Sequence, residues 1–327
     1  MKALYASCIF LLACNMIHAQ QPYGYQLHDG AFDELSPVWI QTFDHDALFA
    51  EDSQIEANGG RTNNGRLVSI SLDERNGRWI PLANGGRVWQ LRLTSPGAKG
   101  MSVQFDNYRL PVGAEMYLYN IDRTMADGPY TSDDNHQSGR MNVGYVTGDD
   151  VILEYYEPYG VVENVGLGIS GVGHFYRYVY NYSDDRGGSE ACEVDVNCPE
   201  GDDWQAERDA VVRLEITEGE FLGLCSGSMV NTTAMDCRRY LLTALHCALN
   251  VTNAEFDVLK VRFRYQRSNC GSGSAPTTYT KTGVDRLADS NDGGGESGSD
   301  FLLVELEDEL PENFNTFYAG WDATGTT

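Results

Sequence analysis

The placement of cysteine constrains this chain more than any other feature. Six cysteines, Cys192, Cys198, Cys225, Cys237, Cys247 and Cys270, fall within residues 192–270, and none lies between residues 20 and 191. The other two, Cys8 and Cys14, sit in an N-terminal leader. That leader has the form of a signal peptide: a basic start at Met1-Lys2, an apolar run from Ala3 to Ala13, and Ile17-His18-Ala19 before Gln20, which fits cleavage after Ala19. Lipidation at Cys14, behind Leu11-Leu12-Ala13, is the minor alternative. The run is too short to span a bilayer, and no later segment is long and apolar enough to do so. Export places the chain in an oxidising compartment, so the clustered cysteines read as structural disulfides of a secreted protein. Zinc is disfavoured, because there is no Cys-x-x-Cys pair and His246 is the one histidine within the cluster.

The cysteine-free and cysteine-rich parts meet at residues 181–190, a polar, glycine-containing stretch suited to an exposed linker. Two domains are therefore expected, residues 20–186 and residues 187–327. The formal charge of −25 argues against nucleic acid or an anionic membrane face as partner.

Both parts read as strands. Trp89, Leu91 and Leu93 alternate with Gln90 and Arg92; Met101, Val103 and Phe105 alternate with Ser102 and Gln104; residues 151–156 form a further apolar run. Asn84-Gly85-Gly86, Ser95-Pro96-Gly97 and Asp127-Gly128-Pro129 are turn signals between them, a pattern that fits a β-sandwich. In the second part Leu259, Val261, Phe263 and Tyr265 alternate with Lys260, Arg262 and Arg264. No long amphipathic helix is evident.

The chemistry concentrates at Tyr240-Leu-Leu-Thr-Ala-Leu-His246-Cys247, where an apolar strand ends in a histidine followed by a cysteine. A general base needs its imidazole held still, and a disulfide at the next residue does this. Cys225, on the strand pair just upstream, is the natural partner, closing a loop that contributes about 3 kcal/mol on the chain-entropy model. Fifty-four residues later, Gly298-Ser299-Asp300 places an acid at the mouth of the apolar strand Phe301 to Leu306. A carboxylate there can accept the Nδ1–H of His246, fixing its tautomer and stabilising the imidazolium.

Thr-Ala-x-His-Cys followed in that order by Asp-Phe-Leu-Leu-x-x-Leu resembles the trypsin and chymotrypsin superfamily. The resemblance is closest to its bacterial lysyl endopeptidase branch and covers nearly all of the exported chain. Cys192-Glu-Val-Asp-Val-Asn-Cys198, Cys225-Ser-Gly-Ser-Met-Val-Asn231, residues 240–247, Phe263-Arg-Tyr-Gln266 to Cys270, and Ala319-Gly-Trp-Asp322 look like that family's landmarks. The likeness implies Cys225–Cys247 and Cys198–Cys270 bridges, with His246 and Asp300 as catalytic residues. Residues 79–119 are similar to the family's N-terminal propeptide, so residues 20–186 are expected to be a β-sandwich-like pro-region packed on its own protease domain and cut away on maturation. Residues 187–327 are expected to be the first β-barrel of a trypsin-like double-barrel domain.

The family's serine, oxyanion hole and specificity pocket lie on a second barrel, roughly 90 residues beyond the acid. Twenty-seven residues follow Asp300, with neither Gly-Asp-Ser-Gly nor a Gly-x-Ser-x-Gly elbow. The chain is therefore expected to be the N-terminal part of a longer enzyme and inactive as it stands. Ser226 and Ser228 fall on a barrel strand and Ser299 beside Asp300, so none is chosen as nucleophile. The family counterpart of Cys192 bonds to the second barrel; a Cys192 to Cys237 bridge is the weaker alternative.

The expectation is a secreted serine endopeptidase precursor acting on proteins or peptides, with no metal or organic cofactor. Arg186 precedes the start of the family's mature chain, so autocatalytic cleavage there would imply preference for a basic residue. The runner-up is a non-catalytic secreted adhesion or binding module on a protease-like fold. Other features have plain readings. Gly166-Leu-Gly-Ile-Ser-Gly171 matches the dinucleotide fingerprint but precedes a strand, and reads as a turn. Residues 289–296 read as a solvated acidic loop rather than a calcium site. Arg262, Arg264 and Arg267 read as a solvated strand face. Asn181, Asn231 and Asn250 sit in glycosylation sequons. His28, His45, His136 and His174 show no partner in the sequence.

Overall fold

A computed structural model of the protein describes residues 21–27, 31–178, 194–273, 275–276, 278–295 and 298–322. The leader, His28, residues 181–190 with Arg186, and Cys192 lie outside the described residues.

The protein is mainly β. The N-terminal region carries β1 (Val38–Trp39), helix α1 (His45–Ala57), β2 (Asn63–Leu72), β3 (Arg78–Pro81), β4 (Arg87–Thr94), β5 (Gly100–Arg109), β6 (Glu115–Asn120), β7 (Ala126–Tyr130), β8 (Met141–Thr147), β9 (Asp150–Glu157) and β10 (Gly166–Phe175). One sheet runs β1-β4-β9-β6-β7 with β3 on the outer side of β4, and β2-β10-β5-β8 form the facing layer. Trp89, Leu91, Val103, Phe105, Leu118, Val143 and Leu153 meet between the two layers and are buried. Alternating strands thus bury one row of side chains against a second sheet, as a sandwich requires.

The C-terminal region carries β11 (Val211–Glu218), β12 (Phe221–Met229), β13 (Tyr240–Ala244), β14 (Lys260–Phe263), β15 (Thr280–Thr282), β16 (Val284–Asp289) and β17 (Phe301–Leu306). They follow the order β15-β14-β11-β12-β13-β17-β16, a curled antiparallel sheet close to a closed barrel. Leu214, Leu241, Val261, Val284, Leu302 and Val304 fill its interior.

The two regions share one sheet. β2 pairs with β10 on one side and with β12 on the other, through Phe221↔Arg66, Leu222↔Gly65 and Gly223↔Asn63. Beside this seam lies a buried ionic cluster. Lys260 donates to Tyr130 Oη at 3.0 Å and to the Gly144 carbonyl, and lies 3.5 Å from Asp127 Oδ2; Arg262 donates to Glu215 at 2.6 Å and to the Gly144 carbonyl at 3.4 Å. Lys260 and Arg262 are both 0% exposed. Arg262 is therefore not part of a solvated face; Arg264 is half-buried and Arg267 exposed.

One further expectation changes. Residues 166–171 are no turn but the start of β10, with a bulge between Gly168 and Gly171. A Cβ at Gly173 would come within 2.3 Å of Ser102 Oγ and one at Gly171 within 2.8 Å of Leu67, so these glycines serve close strand and side-chain packing. Helix α1 forms although its sequence has no apolar stripe: Asp44 caps it, accepting from the Asp46 and Ala47 N–H groups, and it buries Leu48 and the carboxylate of Asp52. His45, His136 and His174 have partners across the fold. His45 Nε2 lies 3.0 Å from His174 Nε2, Ser95 Oγ lies 2.7 Å from His174 Nδ1, and His136 pairs with Glu307 of the C-terminal region. Burial, and then the neighbouring His45, push His174 down to about 4.

Candidate active site

β13 and β17 are neighbours, with Ala244 opposite Phe301, so the residues that leave β13 and enter β17 emerge at the same end of the barrel. His246 follows β13 in a single 3₁₀ turn, Leu245–Cys247. That turn is tied at both sides: the Leu245 N–H donates to the Asp300 carbonyl at 2.9 Å, and Cys247 is bonded to Cys225 of β12. The second bridge joins Cys198 to Cys270. Cys237 is a free, exposed thiol, and Cys192 lies outside the described residues.

The structure brings His246 and Asp300 together. The His246 Nδ1–H donates to Asp300 Oδ2 at 2.6 Å, and the His246 backbone N–H donates to Asp300 Oδ1 at 2.8 Å. Partial burial pushes the Asp300 carboxyl up, but the hydrogen bonds from the His246 side chain and from the His246 and Gly295 backbone N–H groups outweigh it. The carboxyl is held below its ordinary range. An ionised Asp300 fixes the proton on Nδ1 and leaves the Nε2 lone pair free, the state a general base needs. The imidazole is about one-third exposed, with its Nε2 edge 3.7 Å from the sulfur of Cys247.

His246 opens on a cleft of about 690 Å³ bordered by Gly293, Gly294, Glu218, Asn250 and, from the N-terminal region, Gly59 and Arg61. Arg61 is buried there, donating to the Cys247 carbonyl at 2.8 Å and pairing with Glu218 at 3.1 Å. Burial pulls its guanidinium down, against the pull of Glu218 and Glu255. No motif marked Arg61 or Gly294 as part of this site, because each reaches it from a loop with no periodic pattern. Among the described residues no serine oxygen hydrogen-bonds His246 Nε2. Ser226 is exposed on β12, with its carbonyl accepting from Thr243, and Ser228 turns to the Met229 carbonyl at 3.5 Å.

Cys225, His246 and Cys247 lie within 4.8 Å of one another, a spacing that would suit a metal. Both sulfurs are shared in one disulfide, so neither offers the thiolate a metal takes. Among the described residues no helix is long and apolar enough to cross a membrane.

Residues 186–327 match the family model described as lysyl endopeptidase, C-terminal domain. The match supports the lysyl endopeptidase family for this part of the chain, and with it a protease-type, hydrolytic function.

Proposed function

We propose that the chain is the precursor of a secreted serine endopeptidase that hydrolyses peptide bonds after basic residues, with His246 as general base and Asp300 as the carboxylate that orients it. The observation that carries this reading is the 2.6 Å Nδ1–H to Oδ2 hydrogen bond, made at the end of a barrel in the residues that match the lysyl endopeptidase family. His246 Nε2 would take the proton of a serine hydroxyl as its oxygen attacks the substrate carbonyl carbon, then return that proton to the leaving amine. Asp300 remains ionised throughout and stabilises the imidazolium. The nucleophile is assigned to chain beyond residue 327. Two observations support this: the sequence has no Gly-Asp-Ser-Gly, and no serine among the described residues hydrogen-bonds Nε2. The mechanism draws on no metal or organic cofactor.

In this reading residues 1–19 direct export and residues 20–186 act as a propeptide. The β2 to β12 pairing and the Arg61 contact beside His246 support a region that covers the protease barrel until maturation. Cleavage after Arg186 would release a chain beginning at Gly187, and N-terminal sequencing of the mature protein checks it. The test of the function is His246→Ala in the product of the complete reading frame. Loss of nearly all peptidase activity is expected; retained activity would sink the assignment.

A further inference from the structure

We propose that Asp292 is a positioning residue for the His246–Asp300 pair: its carboxylate anchors the backbone from which Asp300 reaches the imidazole. The inference rests on the peptidase reading above and extends it to a residue that does not touch the imidazole.

Asp300 has φ +50°, in the left-handed region that a non-glycine residue occupies at a cost and keeps only where its surroundings over-determine it. Its carbonyl and carboxylate are engaged by the His246 turn. Its own N–H donates to Asp292 Oδ2 at 3.0 Å. The other oxygen, Oδ1, accepts from Ser290 Oγ at 2.7 Å and from the Gly294 N–H at 3.1 Å, and the Ser299 N–H also reaches the carboxylate. One side chain therefore ties together both ends of the loop that crosses His246. The Ser290 hydroxyl and then the Asp300 N–H outweigh slight desolvation and hold the Asp292 carboxyl down at about 2.

Two glycines fit the loop to this arrangement. A Cβ at Gly298 would lie 2.2 Å from Asp292 Oδ2, so the absence of a side chain there leaves room for the carboxylate. Gly294, at φ +77°, lies flush on the His246 backbone: a Cβ there would stand 3.0 Å from the His246 backbone nitrogen. All four groups named around Asp292 are donors. An asparagine would turn an NH₂ toward one of them and lose that bond.

The test uses ¹⁵N-histidine-labelled 327-residue chain. The His246 Nδ1–H resonance and the titration midpoint of the imidazole are compared in the unsubstituted protein, Asp292→Asn, Gly298→Ala and Asp300→Asn. Asp300→Asn sets the scale, since it removes the acceptor itself. Asp292→Asn is expected to shift or broaden the Nδ1–H signal and to move the midpoint in the same direction as Asp300→Asn, by less. Gly298→Ala, which keeps the charge but displaces the carboxylate, should do the same. A folded Asp292→Asn protein with signal and midpoint unchanged would overturn the proposal. If Asp292→Asn does not fold, hydrogen exchange at the Asp300 amide of the unsubstituted chain decides the matter. Protection of about ten-fold or more is expected, and exchange at the free-peptide rate would overturn it. Neither readout needs turnover, so if both come out as expected while the product of the complete reading frame cleaves nothing, the peptidase reading alone is refuted.

Discussion

Asp127→Ala probes the seam between the two regions. Lys260 comes from β14 of the barrel and is fully buried; the carboxylate 3.5 Å from it comes from β7 of the N-terminal region. Asp127 also accepts from Tyr130 Oη at 2.5 Å and from the Gly144 N–H at 2.8 Å. Truncation to alanine leaves the buried ammonium without its nearest carboxylate, with the more distant Glu215 still in its field, and two buried donors without that acceptor. Breaking a buried ion pair from one side costs about 3–5 kcal/mol, and each orphaned donor about 1–3, terms that overlap because they share one cluster. The expected loss is thus at least about 3 kcal/mol. With a slope of about 1–3 kcal/mol per molar urea, the midpoint of the first unfolding transition at pH 7, followed by tryptophan fluorescence, should fall by more than about 1 M. Adding Lys260→Met to Asp127→Ala, which removes the stranded ammonium with its stem retained, should recover part of that loss. A loss below about 1 kcal/mol for Asp127→Ala would mean that Lys260 reaches water and that the N-terminal region does not seal this face. The pH dependence has a definite sign. Burial would raise the Asp127 carboxyl, but Lys260 and Arg262 lead the contributions that bring it below its ordinary value. The stability it contributes is present above its unfolded pKa and is lost as pH falls through the lower folded value.

Other outcomes follow from the site. Asp300→Asn should lower kcat of the complete enzyme on the order of 10⁴-fold with little change in KM, because the amide stabilises the wrong imidazole tautomer; a drop under ten-fold would contradict its role. Removing the Cys225–Cys247 bridge by double alanine substitution should cost about 3 kcal/mol, from a 22-residue separation at about 11 cal/mol/K of loop entropy, read by urea unfolding. Because the Asp300 carboxyl is held below its ordinary range, the His246 Nδ1–H signal should persist in acid below pH 4 and disappear only as the folded carboxyl protonates; loss of the signal above pH 5 would contradict the hydrogen bond.

The sequence shows the site more fully than the way its surroundings assemble. His246 and Asp300 are legible because each sits at the end of an apolar strand, and paired strands deliver their ends to one place. Cys247 is legible for a similar reason, since its partner Cys225 lies on the adjoining strand. Alternation misleads at Arg262: the period-two pattern assigns one face to solvent, yet the N-terminal region covers that face and supplies the acceptor at Gly144. Helix α1 leaves no periodic trace because its inward contacts are polar, with Asp52 accepting from Tyr176 Oη at 2.7 Å and from Arg177 at 3.1 Å. The continuous sheet through β2 and β12 joins residues more than 150 apart, a separation that local patterns do not encode. Glycine density at residues 166–171 imitates a turn, whereas those glycines accommodate neighbouring strands and side chains.

The most direct measurement is peptidase activity of the purified 327-residue chain and of the processed product of the complete reading frame, side by side. The substrates carry Lys, Arg or an apolar residue before the scissile bond. Cleavage after Lys or Arg by the complete product alone is the predicted result. Silence in both, from folded protein with the Cys198–Cys270 and Cys225–Cys247 bridges formed, would contradict the assignment of His246 and Asp300 to peptide hydrolysis.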